Sequence, residues 1–132
     1  MAWHQQDPDR FAREVELMDE RTRARLRRCD DRLYWVEELV SEGGEPYTLA
    51  IEYPERFPFE PPKAFIVSPD LEDPPHQLPD GSLCLWDDPA VASGAKTTAV
   101  AVRNRAVTWY LAYEIWKLTG EWLAPDHRNR RQ

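Results

Sequence analysis

Residues 53–85 read YPERFPFEPPKAFIVSPDLEDPPHQLPDGSLCL. A proline-rich turn, Tyr53 to Pro62, feeds a short apolar strand, Ala64 to Val67, and a second proline-rich loop follows from Ser68 to Pro89. That loop has almost no periodicity and five prolines, and so long an irregular stretch in a small chain is usually functional or disordered. Leu78, Leu83, Leu85 and Trp86 within it are residues that pack, so an ordered loop is expected. It delivers a cysteine, Cys84, inside Gly81-Ser82-Leu83-Cys84-Leu85.

Upstream, residues 8–28 read as a helix. Asp7 suits the N-cap and Pro8 the first helical position. Phe11, Val15 and Met18 fall at i, i+4 and i+7, giving one apolar stripe that Leu26 extends. Acidic residues in the middle and arginines at the end suit the helix dipole. Leu33 to Val40 is rich in aromatic and branched residues and reads as a strand. Ser41 to Pro46, with Gly43-Gly44, reads as a hairpin turn. Tyr47 to Tyr53 alternates Tyr47, Leu49, Ile51 and Tyr53 against Thr48, Ala50 and Glu52, the pattern of a half-buried strand. With Ala64 to Val67 as the third strand, the order predicts an antiparallel meander.

Downstream, residues 90–99 are small. Ala101 to Leu118 reads as a second helix, with Val102, Ala106, Trp109, Tyr113 and Trp116 on one face and Gly120 as its left-handed cap. The expected fold class is α+β: an N-terminal helix packed on an antiparallel meander sheet, an active-site loop and one C-terminal helix. One domain is expected over 1–132, with its core at about 8–123 and a tail at 124–132.

Charge and composition narrow the function classes. No apolar run approaches the ~18 residues of a membrane span, and MAWHQQDPDR lacks the features of a signal peptide. A cytoplasmic protein without a membrane partner is expected. Cys29 and Cys84 are then expected as thiols, and no Cys/His spacing suggests a metal site. The net charge is −7, yet RTRARLRR at 21–28 holds five arginines in eight positions. No aromatic residues are interleaved with them, and the acidic remainder would repel phosphate. The arginines therefore read as a protein-docking or plain solvated face, not a nucleic-acid site.

The helix, the meander, Tyr-Pro-x-x-Phe-Pro-Phe-x-Pro-Pro-Lys-Ala-Phe-Ile-Val-Ser-Pro from Tyr53 to Pro69, and His76 followed by Gly81-Ser82-Leu83-Cys84-Leu85 together resemble the ubiquitin-conjugating enzyme family. The resemblance covers about residues 8–90 well and the second helix loosely. Three departures stand out. The family usually carries His-Pro-Asn before the cysteine, whereas His76 stands in Pro75-His76-Gln77-Leu78 and no asparagine occurs in 68–89. The segment from His76 to Cys84 is shorter than usual, and the terminal helices are reduced to one helix and a tail. These features are similar to minimal bacterial relatives encoded beside activating-enzyme, peptidase and ubiquitin-like genes, including those of antiviral operons.

The resemblance implies two acyl transfers at Cys84. Its thiolate takes the C-terminus of a ubiquitin-like protein from an activating enzyme, and an amine on a target then attacks the thioester. Sulfur suits this role, because the thiolate is strongly nucleophilic and the thioester stays reactive to amines. His76 corresponds to the family's histidine, which shapes the loop or acts as a base. With the oxyanion asparagine missing, backbone N–H groups near Gly81 or Cys84, or His76 itself, are expected to serve. Asp80, Asp87 and Asp88 flank the cysteine as support for an incoming amine, or form a solvated acidic loop. Phe59 stands at the family's ligase-contacting phenylalanine, or is a core or turn aromatic. Arg21, Arg23, Arg25 and Arg27 match the helix face that docks the activating enzyme. No metal or organic cofactor is implied, since ATP is used by the activating partner only.

Two other functions compete. An inactive binding module of the same fold is favoured by the missing asparagine and opposed by Cys84. A free-standing cysteine hydrolase needs a Cys–His pair open to water, and only His4, His76 and His127 are available for it.

Overall fold

The structure is a computed structural model that describes residues 1–86 and 97–123. Asp87, Asp88 and the 124–132 tail, with His127, lie outside the described residues.

The chain opens with a four-residue helix, α1 (Trp3–Gln6), then α2 (Pro8–Arg21). Asp7 caps α2 by accepting from the Arg10 N–H at 3.1 Å, with Pro8 at the first position. The expected helix over 8–28 is seven residues too long. At Thr22 the backbone turns extended, and the Thr22 hydroxyl and N–H both close on the Met18 carbonyl. Residues Arg25–Cys29 form a strand, β1, antiparallel to β2 (Arg32–Val40). The physical reason is alternation: Leu26 turns inward opposite Trp35, while Arg25, Arg27 and Cys29 stay in solvent. Pairing with β2 also satisfies the strand's backbone, and Asp30 takes the left-handed turn at φ 55°.

β3 (Pro46–Glu52) and β4 (Lys63–Ser68) complete a four-stranded antiparallel sheet in sequence order. The meander stands, with one strand more than the three expected. The three C-terminal strands lie where alternation places them, and Leu33, Trp35, Leu49, Ile51 and Ala64 line one buried face. Burial of each large apolar side chain is worth about 1.5–3 kcal/mol. α3 (Ala99–Thr119) packs against β3, β4 and α2. Thr98 caps it, and Gly120 ends it at φ 81°. Val102, Ala106, Trp109 and Tyr113 are buried as their spacing requires. This is the α+β architecture of a ubiquitin-conjugating-enzyme-like fold, with the helices on one face of a meander.

Periodicity did not reveal the groups that join the layers. Glu14, 1 % exposed, lies between the apolar positions of α2. Its Oε1 accepts from the Tyr53 hydroxyl and the Ala99 N–H, both at 2.9 Å, and Oε2 accepts from Arg10 Nε at 3.2 Å. The Tyr53 oxygen in turn accepts from the Trp35 indole at 2.9 Å. One carboxylate thus ties α2 and the sheet to the N-terminus of α3, where the helix dipole favours negative charge. Burial and the Glu14 charge push the Tyr53 hydroxyl far above its ordinary pKa. Trp3 of α1 lies against Tyr53 and Phe57 at ring separations of 4.8 and 4.5 Å. The proline-rich turn is thereby pinned to the N-terminus.

Candidate functional site

The cysteine loop is anchored to β4. The Leu83 N–H donates to the Ala64 carbonyl at 2.9 Å, and Leu83 is buried. A tight turn precedes it. Leu78 N–H donates to the Ser82 carbonyl, and Gly81 N–H donates to the Leu78 carbonyl. Gly81 stands at φ 91°, in the left-handed region open to glycine. Asp80 staples this turn. Its Oδ1 accepts from the Ser82 N–H at 2.9 Å and the Ser82 hydroxyl at 2.6 Å, and Oδ2 pairs with Lys63 at 3.0 Å. The Ser82 hydroxyl and N–H, then Lys63, hold the Asp80 pKa down from 3.8 to about 2. Both Asp80 oxygens are therefore engaged in holding the loop to β4.

Cys84 is a free, half-buried thiol. Its N–H donates to the His76 carbonyl at 2.9 Å, and its Sγ lies 3.7 Å from the Trp86 carbonyl. A groove of about 230 Å³ opens beside it, lined mainly by Pro61, Pro62, Ala64, Leu83, Leu85 and Trp86.

The structure brings His76, Asp80, Gly81 and Cys84 together in one loop and separates others. His76 holds φ 61°, and its exposed ring lies 5.0 Å from that of Trp122. Its main-chain carbonyl is the acceptor that fixes Cys84. His4, on α1 itself, packs on Trp3 and Phe11. Among the N–H groups near Gly81 and Cys84, expected with His76 as oxyanion donors, those of Gly81, Ser82, Leu83 and Cys84 are already donated within the loop or to β4. Forming an ordered turn consumed them. Leu78 is 46 % exposed and not packed, because the turn points it outward. Phe59 is 77 % exposed, which rules out the core reading, while Phe57 two residues before it takes the buried place.

The four arginines expected to dock the activating enzyme do not share a helix face. Arg21 ends α2, Arg23 lies in the connection, and Arg25 and Arg27 lie on β1 across from Val36 and Tyr34. All four are exposed. The helix expectation failed because Leu26 satisfies both a helical stripe and a strand alternation.

α3 supplies two contacts that the motifs did not announce. Trp109 donates its indole N–H to the His76 carbonyl at 3.0 Å. Arg105 donates to the Leu85 carbonyl at 3.2 Å, and its guanidinium lies 3.9 Å from the centre of the Trp86 ring. The only sequence signal was a tryptophan and an arginine at i and i−4 on the predicted helix.

The search of protein families matches residues 14–130 to a family described as Type II CBASS E2 protein. No curated protein matches the chain.

Proposed function

The chain belongs to the Type II CBASS E2 family, a minimal bacterial E2-like protein of antiviral defence, and from that footing we propose that Cys84 is its acyl carrier. The Cys84 thiolate attacks the thioester carbonyl of a charged activating enzyme. A new C–S bond forms to the C-terminus of the ubiquitin-like protein, the old C–S bond breaks, and the activating enzyme's cysteine departs as thiolate. An amine on a target protein then attacks the new thioester, loses a proton, and Cys84 leaves as thiolate. The observation that carries this reading is a half-exposed thiol at the mouth of an apolar groove, on a loop fixed at Ala64 and His76.

His76 supports the reaction chiefly as the loop's acceptor, Asp80 and Gly81 shape the turn, and Asp87 and Asp88, which follow Cys84 closely in the sequence, are candidate support for the incoming amine. Arg21, Arg23, Arg25 and Arg27 offer a basic surface to the activating enzyme, and Phe59 offers an exposed anchor to a ligase or other partner. ATP acts at the activating partner, in the cytoplasm, and this chain holds no cofactor.

The committed N–H groups of Gly81 and Cys84 favour one second reading, a binding module that scaffolds a partner without chemistry. One assay separates them. Incubation with the activating enzyme, its ubiquitin-like protein and ATP is followed on gels with and without reductant, for wild type and Cys84→Ala. A reductant-sensitive adduct absent from the variant supports the carrier. A charged activating enzyme that leaves no adduct on wild type supports the binding module.

A further inference from the structure

Cys84 is held from two sides by residues one helical turn apart on α3. Trp109 reaches the carbonyl of His76, and Arg105 reaches the carbonyl of Leu85. The His76 carbonyl is therefore shared by two donors, the Cys84 N–H and the Trp109 indole. A buried indole needs an acceptor, and Trp109 is only 4 % exposed. It cannot swing away, since Tyr113 and Trp122 pack on it at ring separations of 5.5 and 5.1 Å.

The acceptor is an unusual one. His76 sits in left-handed backbone at φ 61°, a conformation that is costly for a non-glycine residue. Such backbone persists only where its surroundings over-determine it. The helix that supplies the clamp is anchored near its N-terminus. Its first N–H is held by Glu14, and Arg103 is held by Glu37 through two bonds of 2.8 and 3.0 Å.

We infer that Trp109 is a positioning residue for acyl transfer at Cys84, acting through the His76 carbonyl, with Arg105 holding the other flank of the loop. This rests on the reading of Cys84 as the acyl carrier. Trp109 exchanges no proton with the substrate. It fixes the main chain from which the sulfur attacks, and an error of ~1 Å in such placement can cost on the order of 10²-fold in rate.

The test uses the full chain carrying Cys29→Ser, so that Cys84 is its one thiol. Trp109→Phe keeps an aromatic ring and removes the N–H. Should loss of ring area unfold it, 3-benzothienylalanine at 109 keeps the shape and still lacks the donor. Single-turnover loading from the charged activating enzyme is measured against its concentration, together with alkylation of Cys84 by iodoacetamide, exchange of the Cys84 amide, and thermal midpoint. The inference expects loading at saturation to fall about tenfold or more. KM, alkylation and the midpoint stay near wild type, while the Cys84 amide exchanges faster. Loading at the wild-type rate overturns it, as does a loss confined to KM or a matching fall in alkylation. If the parent chain itself forms no adduct, the carrier reading fails and this inference with it. A charged parent and an equally charged Trp109 variant sink the inference alone.

Discussion

Asp80 carries two burdens that a surface aspartate normally does not: it stabilises the Ser82 turn and it pairs with Lys63. Its folded pKa, about 2, lies below the ordinary 3.8. A depressed carboxyl stabilises the folded chain above its unfolded pKa, and that stabilisation is lost as pH falls through the folded value. The window is therefore from about 4 down to about 2. Wild type should lose more stability than Asp80→Asn between pH 4.5 and pH 2, measured by urea unfolding at each pH. Parallel pH curves for the two proteins would show that the Asp80 contacts do not persist in solution. Because Asp80 is solvent-accessible, solvent screening keeps the difference small. Gly81 and Cys84 were legible as motif residues from the chain itself. The commitment of their N–H groups was not, because hydrogen-bond partners come from the folded turn.

Among the elements, β1 changes the account most. An edge strand exposes backbone groups that invite pairing, and charged side chains are a common guard. Arg25 and Arg27 serve that end whatever else they bind. As part of a docking surface, their removal should weaken capture without altering chemistry. Arg25→Ala with Arg27→Ala should raise KM for the charged activating enzyme about two- to thirtyfold, from ~0.2–1 kcal/mol for each of the two exposed ion pairs. The rate at saturation and the thermal midpoint should not move. The KM difference should also shrink in high salt, where exposed charges are screened. An unchanged KM at low salt would place docking elsewhere. The three strands from β2 to β4 were legible because each alternates against a buried face. The helix–strand boundary at Thr22 was not, since the pattern around Leu26 fits both periods.

In the molecule as a whole, buried charge joins the layers alongside the apolar core. Glu37, 5 % exposed, faces inward from β2 and takes the Arg103 guanidinium in a bidentate pair. The Arg23 N–H adds a third donor at 3.3 Å. Removing one partner strands a buried charge, so Arg103→Met should destabilise by about 3–5 kcal/mol. Arg103→Met with Glu37→Leu should recover most of that, a coupling measured by a double-mutant cycle in urea. A cost under about 1 kcal/mol for the single variant would show that water reaches Glu37.

Local patterning specifies the meander from β2 to β4, both long helices in kind, the proline-rich turn and the loop that carries Cys84. Periodicity and turn chemistry are local, and they act before any layer packs. Long-range contacts settle that residues 25–29 leave the helix, that Glu14 and Glu37 are buried, and that α3 holds the cysteine loop through Trp109 and Arg105. Those outcomes depend on partners distant in the chain: Trp35 for Leu26, Ala99 for Glu14, and His76 for Trp109. A polar or mixed-pattern residue takes its place from the group that satisfies it, and that group is specified only once the chain has folded.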